Sequence, residues 1–203
     1  MNKHAIVFFS LCVVCRILPG AEPASETDES VRVLATEVCS ICHGPGGVSA
    51  LPASPNLAAQ PRPYLRAKMK LFRSRSINEP NDHGEMLGLT LMDDATVDAL
   101  ARYYASQPPA PPVSGDAALI AAGTKIFGQG VPERGVAACA VCHGASATGF
   151  GIFPRLAGQH AEYVQRQLTR IQARLRDAPV MHGIIKDLTS DEMKAVAAFV
   201  QSK

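Results

Sequence analysis

Apolar residues in this chain recur at helical spacing and nowhere alternate over the length of a strand. Val164, Leu168, Ile171 and Leu175 fall at i, i+4, i+7 and i+11, one face of a helix. Leu65, Met69 and Phe72 make a similar stripe a hundred residues earlier. Each stripe is backed by a basic face: Arg66, Lys68, Lys70, Arg73 and Arg75 in one, Arg166, Arg170, Arg174 and Arg176 in the other. Such faces are expected to be solvated, with one or two cations able to pair with an anionic group or steer a partner. Two further helices are expected over 95–106 and 191–201. Asp93 and Asp94 precede the first, Thr189 and Ser190 the second, all N-cap residue types. Their inner stripes are Val97, Leu100, Ala101 and Tyr104, then Met193, Val196, Ala197 and Val200. Shorter helices are expected over 31–39 and 116–127, the latter with Leu119, Ile120 and Gly123 as packing positions. The predicted fold class is all-α.

The pattern is duplicated. Pro55-Asn-Leu57-Ala-Ala-Gln60 followed by Tyr64 recurs as Pro154-Arg-Leu156-Ala-Gly-Gln159 followed by Tyr163. Between the halves lies Gln107-Pro-Pro-Ala-Pro-Pro-Val-Ser-Gly115, whose prolines favour a stiff, extended spacer. The expected organisation is a leader over 1–24, one domain over 25–107, a Pro-rich linker over 108–115 and a second domain over 116–203. Residues 24–30 are small, polar and acidic and are expected to be loose.

The chemistry sits at the start of each repeat. Cys39-Ser-Ile-Cys42-His43 returns as Cys139-Ala-Val-Cys142-His143. C-x-x-C-H is the attachment signal for c-type haem. Two thiols three positions apart on a helical turn reach the two vinyl groups of one porphyrin, and the next imidazole lies under the iron. Cys39, Cys42, Cys139 and Cys142 are therefore the expected thioether residues for two covalently bound haem c groups, and His43 and His143 the proximal iron ligands. A single four-thiolate zinc site would leave both histidines unexplained. A thioredoxin-like pair would need a βαβ setting that the flanks do not provide.

The remaining composition narrows the class. The 203-residue chain carries a net charge of +2 and has no Trp, and its only other cysteines are Cys12 and Cys15. No basic run points to nucleic acid. Lys3 and His4 followed by the apolar run 5–14 read as a secretory signal, and Arg16 interrupts that run too early for a membrane span. Export places haem attachment outside the cytoplasm. Cys12-Val-Val-Cys15 lies in the signal core, with Arg16 where a haem motif has histidine.

A low-spin electron carrier also needs a sixth ligand, and a methionine raises the potential. Met181, in the turn-like Ala178-Pro-Val-Met181-His-Gly183, is the choice in the second half; Met193 lies on an apolar stripe and His182 is expected to be exposed. In the first half Met86, Met92 and His83 compete. Aligning the final helices puts Met92 on Leu188 and Met181 one position from Met86, so Met86 is chosen and Met92 reads as core.

These motifs, with Tyr103-Tyr104-Ala105-Ser106-Gln107 and Gly158-Gln159-His160, make residues 25–203 resemble the cytochrome c4 family. The resemblance implies two tandem class I cytochrome c-like domains, each with a proline carbonyl (Pro55, Pro154) against its proximal imidazole, and haems facing each other across the domain interface. It implies a periplasmic electron carrier, not an enzyme, without a small-molecule substrate and associated with membranes only through partners. The implied partners are a quinol-cytochrome c reductase upstream and a terminal oxidase or soluble reductase downstream. The alternatives are a cytochrome subunit of a dehydrogenase complex or a haem enzyme, such as a peroxidase or sulfur-compound dehydrogenase. Ala59 in place of Gly158 is a departure of the first repeat from the second.

Overall fold

The computed structural model describes residues 26–78 and 84–203. The expected leader with Cys12 and Cys15, and His83, lie outside the described residues. The described residues are helical, with isolated β-bridges between Val131 and Val136 and between Phe150 and Phe153. Helices α1 (Glu26–Val33), α2 (Ser40–His43), α3 (Arg62–Asn78) and α4 (Asp94–Ala105) belong to the first half. Helices α5 (Ala117–Gln129), α6 (Ala140–His143), α7 (Ala161–Gln172), α8 (Pro179–Ile185) and α9 (Ser190–Gln201) belong to the second.

Each half has its own core. Val31, Ala35, Leu65, Leu100, Ala101 and Tyr104 bury one. Phe127, Val164, Leu168, Ile171, Met193, Val196 and Val200 bury the other. The inner stripes read from the sequence are thus the buried ones. The helix starts are fixed by the expected caps: Asp93 accepts from Thr96 N at 2.8 Å. Thr189 and Glu192 form a reciprocal capping box, at 3.2 and 2.8 Å.

Three local expectations are corrected. Residues 26–30 are helical, not loose: they belong to α1, which is held by burial of Val31 and Ala35 in the first core and by Arg32 pairing with Glu29 one turn back. Leu175 is not part of the α7 stripe but 60% exposed. The helix stops at Gln172 and the chain turns through Arg174 at φ 58, with the amides of Leu175 and Arg176 closing onto the Arg170 carbonyl. The stretch around Met181 is a helix, α8, because Pro179 supplies a preset first helical turn.

The basic face of α3 joins helices. Arg62 and Arg66 meet Asp98, and Lys70 and Arg73 meet Asp94, so four cations hold α3 to α4 through two carboxylates. The linker runs extended, as the prolines require, but lies along the second half: Val113 N donates to Gln201 O at 2.9 Å, and Ala110 is buried.

The duplication is visible bond by bond. The Gly47 carbonyl accepts from Leu57 N and Ala58 N, and the Ala147 carbonyl accepts from Leu156 N and Ala157 N. Ala59 N donates to Tyr104 O and Gly158 N to Val200 O, both at 2.9 Å. Ala59 and Gly158 share the left-handed conformation, at φ 55 and φ 74. Alanine tolerates it in the first half at a strain of about 1 kcal/mol. In the second half a Cβ would lie 2.7 Å from the Ala110 carbonyl oxygen, so only glycine fits.

Candidate functional site

Both C-x-x-C-H motifs form one short helical turn, α2 and α6, entered through Cys39 and Cys139. Each turn ends at a glycine with positive φ, Gly44 and Gly144, which reverses the chain immediately after the histidine. His43 and His143 are buried, 7% and 5% exposed. His43 Nδ1 lies 2.9 Å from Pro55 O, and His143 Nδ1 lies 3.0 Å from Pro154 O. A carbonyl can only accept, so Nδ1 carries the proton and Nε2 is the nitrogen left for a metal. Burial pushes both imidazoles below their ordinary range, partly opposed by these carbonyls, and the neutral ring is the metal-binding form. Burial likewise pushes the Cys139 thiol up, to about 11.

The other predicted ligands lie on other elements of the same halves. Met181 is half-buried on α8 and packs against the second core. Met193 is buried in that core, as its stripe position predicts. His182 is half-buried rather than exposed, because its Nδ1 bonds the Ile171 carbonyl at 3.1 Å. In the first half Met86 is half-buried at a break (φ −112, ψ 17) in a 3₁₀ segment, Gly84–Leu91, that packs on α3. Met92 packs against the first core.

The two halves meet through the Pro-x-Leu-Ala-x-Gln segments. Gln159 Oε1 accepts from Asn56 N at 2.8 Å, and Gln159 Nε2 donates to Asn56 O at 3.0 Å. In mirror fashion, Gln60 Oε1 accepts from Arg155 N at 3.0 Å, and Gln60 Nε2 donates to Arg155 O at 2.7 Å. Asn56 Nδ2 donates to Gly158 O, His160 Nε2 bonds Ser49 O, and Arg166 donates to the Ala53 carbonyl. Arg176 donates to Gln167 Oε1 at 2.7 Å and lies within electrostatic reach of both Tyr64 and Tyr163, the equivalent tyrosines of the repeat. Sequence reasoning singled out the glutamines as part of the repeat but gave them no role.

This donor set fits a covalently bound haem twice over: each turn carries two thiols and a tautomer-fixed imidazole. Buried Arg155 Nε has no partner among the described protein groups, a disposition suited to a haem propionate.

The fold and the paired sites define a duplicated c-type cytochrome. Residues 120–203 match the cytochrome c family model. Cytochrome c4 of Thiocapsa roseopersicina is 35% identical over 188 residues, covering 90% of this chain and 95% of the relative. A thiosulfate dehydrogenase electron acceptor of Thiomonas intermedia is 34% identical over 174 residues, 81% of this chain and 78% of that protein. The crystal structure of reduced recombinant cytochrome c4 from Pseudomonas stutzeri superposes with a TM-score of 0.78 at 30% identity, covering 86% of this chain and 97% of that one. The chain belongs to the cytochrome c4 family, dihaem electron-transfer proteins with two covalently bound haem c groups.

Proposed function

We propose that Cys39 and Cys42 hold one haem and Cys139 and Cys142 the other, with His43 and Met86, and His143 and Met181, as the axial iron ligands. The observation that carries this reading is the pair of buried histidines, each with Nδ1 on a proline carbonyl directly behind a C-x-x-C-H turn. Each haem supplies a one-electron iron couple. The protein fixes the imidazole tautomer and would offer a methionine thioether to each iron, both of which would set the potential. The functional units are a leader over 1–24, domains over 25–107 and 116–203, and the linker over 108–115. The packing of α8 on α7 and of the Gly84–Leu91 segment on α3 supports equivalent roles for Met181 and Met86.

The protein works as a periplasmic carrier that passes electrons without transforming a substrate. Its partners are a quinol-cytochrome c reductase upstream and a terminal oxidase or soluble reductase downstream. The Thiomonas intermedia relative favours a second reading, in which a thiosulfate dehydrogenase is the donor. Intact mass of exported protein should show two haems, and Cys139→Ala with Cys142→Ala should remove one. Met86→Ala should abolish the weak far-red Met-to-ferric-iron absorption of the first haem alone, and Met181→Ala that of the second. Retention of that band in either variant rejects the corresponding ligand. Stopped-flow reduction by a quinol-cytochrome c reductase and by a thiosulfate dehydrogenase separates the two partner readings.

A further inference from the structure

The hydrogen bonds to the proximal histidines continue across the interface. Pro55 C=O, which holds His43 Nδ1, and Asn56 N–H belong to one peptide group. That N–H is bound by Gln159 Oε1 from the other half. Pro154 C=O holds His143 Nδ1, and Arg155 N–H of that same peptide is bound by Gln60 Oε1. The orientation of each glutamine amide is forced, since the backbone N–H needs Oε1 and the following carbonyl needs Nε2. Gln60 and Gln159 are buried, 5% and 4% exposed, so neither bond competes with bulk water.

We propose that Gln60 and Gln159 are crossed positioning residues: each tunes the haem of the half to which it does not belong, acting through one peptide group and the proximal histidine. The proposal rests on the reading that His43 and His143 bind the irons. A peptide that donates through its N–H becomes a stronger acceptor at its carbonyl, because hydrogen bonds in a chain polarise one another. The stronger Nδ1–H···O=C bond makes the imidazole more basic and favours ferric over ferrous iron. Each glutamine therefore lowers the potential of the opposite haem. The second contact, amide NH₂ to the Asn56 or Arg155 carbonyl, reaches the next peptide group, so each glutamine clamps one residue at both its N–H and its C=O. An intact interface thus holds both potentials down, and any partner that loosens it raises both.

The test uses the full-length holoprotein with Gln159→Met and Gln60→Met, which keep side-chain volume and remove the acceptor. Haem content by mass is read first, then the two potentials by spectroelectrochemistry with NMR assignment, then the proximal Nδ1–H resonances of the reduced protein. Gln159→Met should raise the first haem's potential and move the His43 Nδ1–H upfield, leaving the second haem in place. Gln60→Met should do the reverse. Gln159→Glu, which keeps an oxygen facing Asn56 N–H, should lower the first potential and carries the test if Gln159→Met loses a haem. Two haems with unchanged potentials, equal shifts of both haems in each variant, or a rise in Gln159→Glu overturns the crossed relay. His43→Ala that leaves the first haem's axial spectrum unchanged rejects instead the ligand reading beneath it.

Discussion

Gly123→Ala should destabilise the second half through a single methyl group. Gly123 lies on α5 where that helix crosses α9. A Cβ there would stand 2.6 Å from the Ala195 carbonyl carbon and 2.8 Å from Phe199 Cβ, with the Ala195 oxygen closer still. Carbon atoms in contact prefer a separation of about 3.5–4.0 Å, so the helices must part by about 1 Å. A gap of that size forfeits up to about half the dispersion well at each contact it opens. The Phe127–Phe199 pair, with ring centroids 4.9 Å apart, lies in the same crossing. Overpacking costs about 1–3 kcal/mol, and a backbone obstacle that cannot rotate away belongs at the upper end. The gain in helix propensity offsets about 1 kcal/mol. The net loss of about 2 kcal/mol lowers the melting temperature of a unit this size by roughly 10 °C. Gly128→Ala on the same helix is the control. Its Cβ meets nothing within 4 Å, so propensity alone should act and raise stability by up to about 1 kcal/mol. Thermal melts of both holoproteins followed by Soret absorption and circular dichroism measure the difference. Gly123→Ala melting at or above wild type would refute the packing argument.

Thr189→Ala removes one arm of the α9 capping box and should cost about 1 kcal/mol in urea unfolding of the second half. Acid should loosen the α3–α4 contact in a defined window. Lys70 and Arg73 hold Asp94 down to about 2, below its ordinary 3.8, so this contribution is present above about pH 4 and disappears as pH falls towards 2. Asp94→Asn should flatten that part of the acid-unfolding curve, and an unaltered curve counts against the assignment. The second haem should have the higher potential, and Arg155→Asn should narrow the gap. A redox titration that finds the first haem higher, or a gap indifferent to Arg155, rejects that order.

Much of this architecture is legible before any coordinates. Helix stripes, caps and C-x-x-C-H turns are local signals, each contained within about a dozen residues. The buried faces of α4 and α9 follow from them directly. At Leu175 the periodicity continues past a helix end that is set by the left-handed turn at Arg174. Residues 26–30 have a polar composition that suggests a loose segment, whereas their conformation is set by the burial of Val31 and Ala35 in a core shared with α4. The partners of Gln60 and Gln159 lie 95 and 103 residues distant, and no periodicity encodes such a pairing. The repeat was the available signal: the same glutamine at the same place in both halves.

The interface is symmetric in backbone and asymmetric in side chains, and the asymmetry bears on the electron path. Asn56 and Arg155 occupy the same position, directly after the proline whose carbonyl holds His43 or His143. The Asn56 side chain is used up: Oδ1 accepts from Ser49 N, and Nδ2 donates to Gly158 O. It adds no charge. Arg155 places a cation at the equivalent point of the second site, with Nε buried and unpartnered among the described protein groups. A positive charge favours the reduced iron, so this one substitution within the repeat separates two otherwise matched sites. The halves as a whole lean the same way, at −2 for 25–107 and +3 for 108–203. Distant surface charge is screened over about 8–10 Å in physiological salt, whereas a partly buried arginine beside the ligand peptide is screened far less. Arg155 rather than the overall balance is therefore expected to set the direction of the offset between the haems.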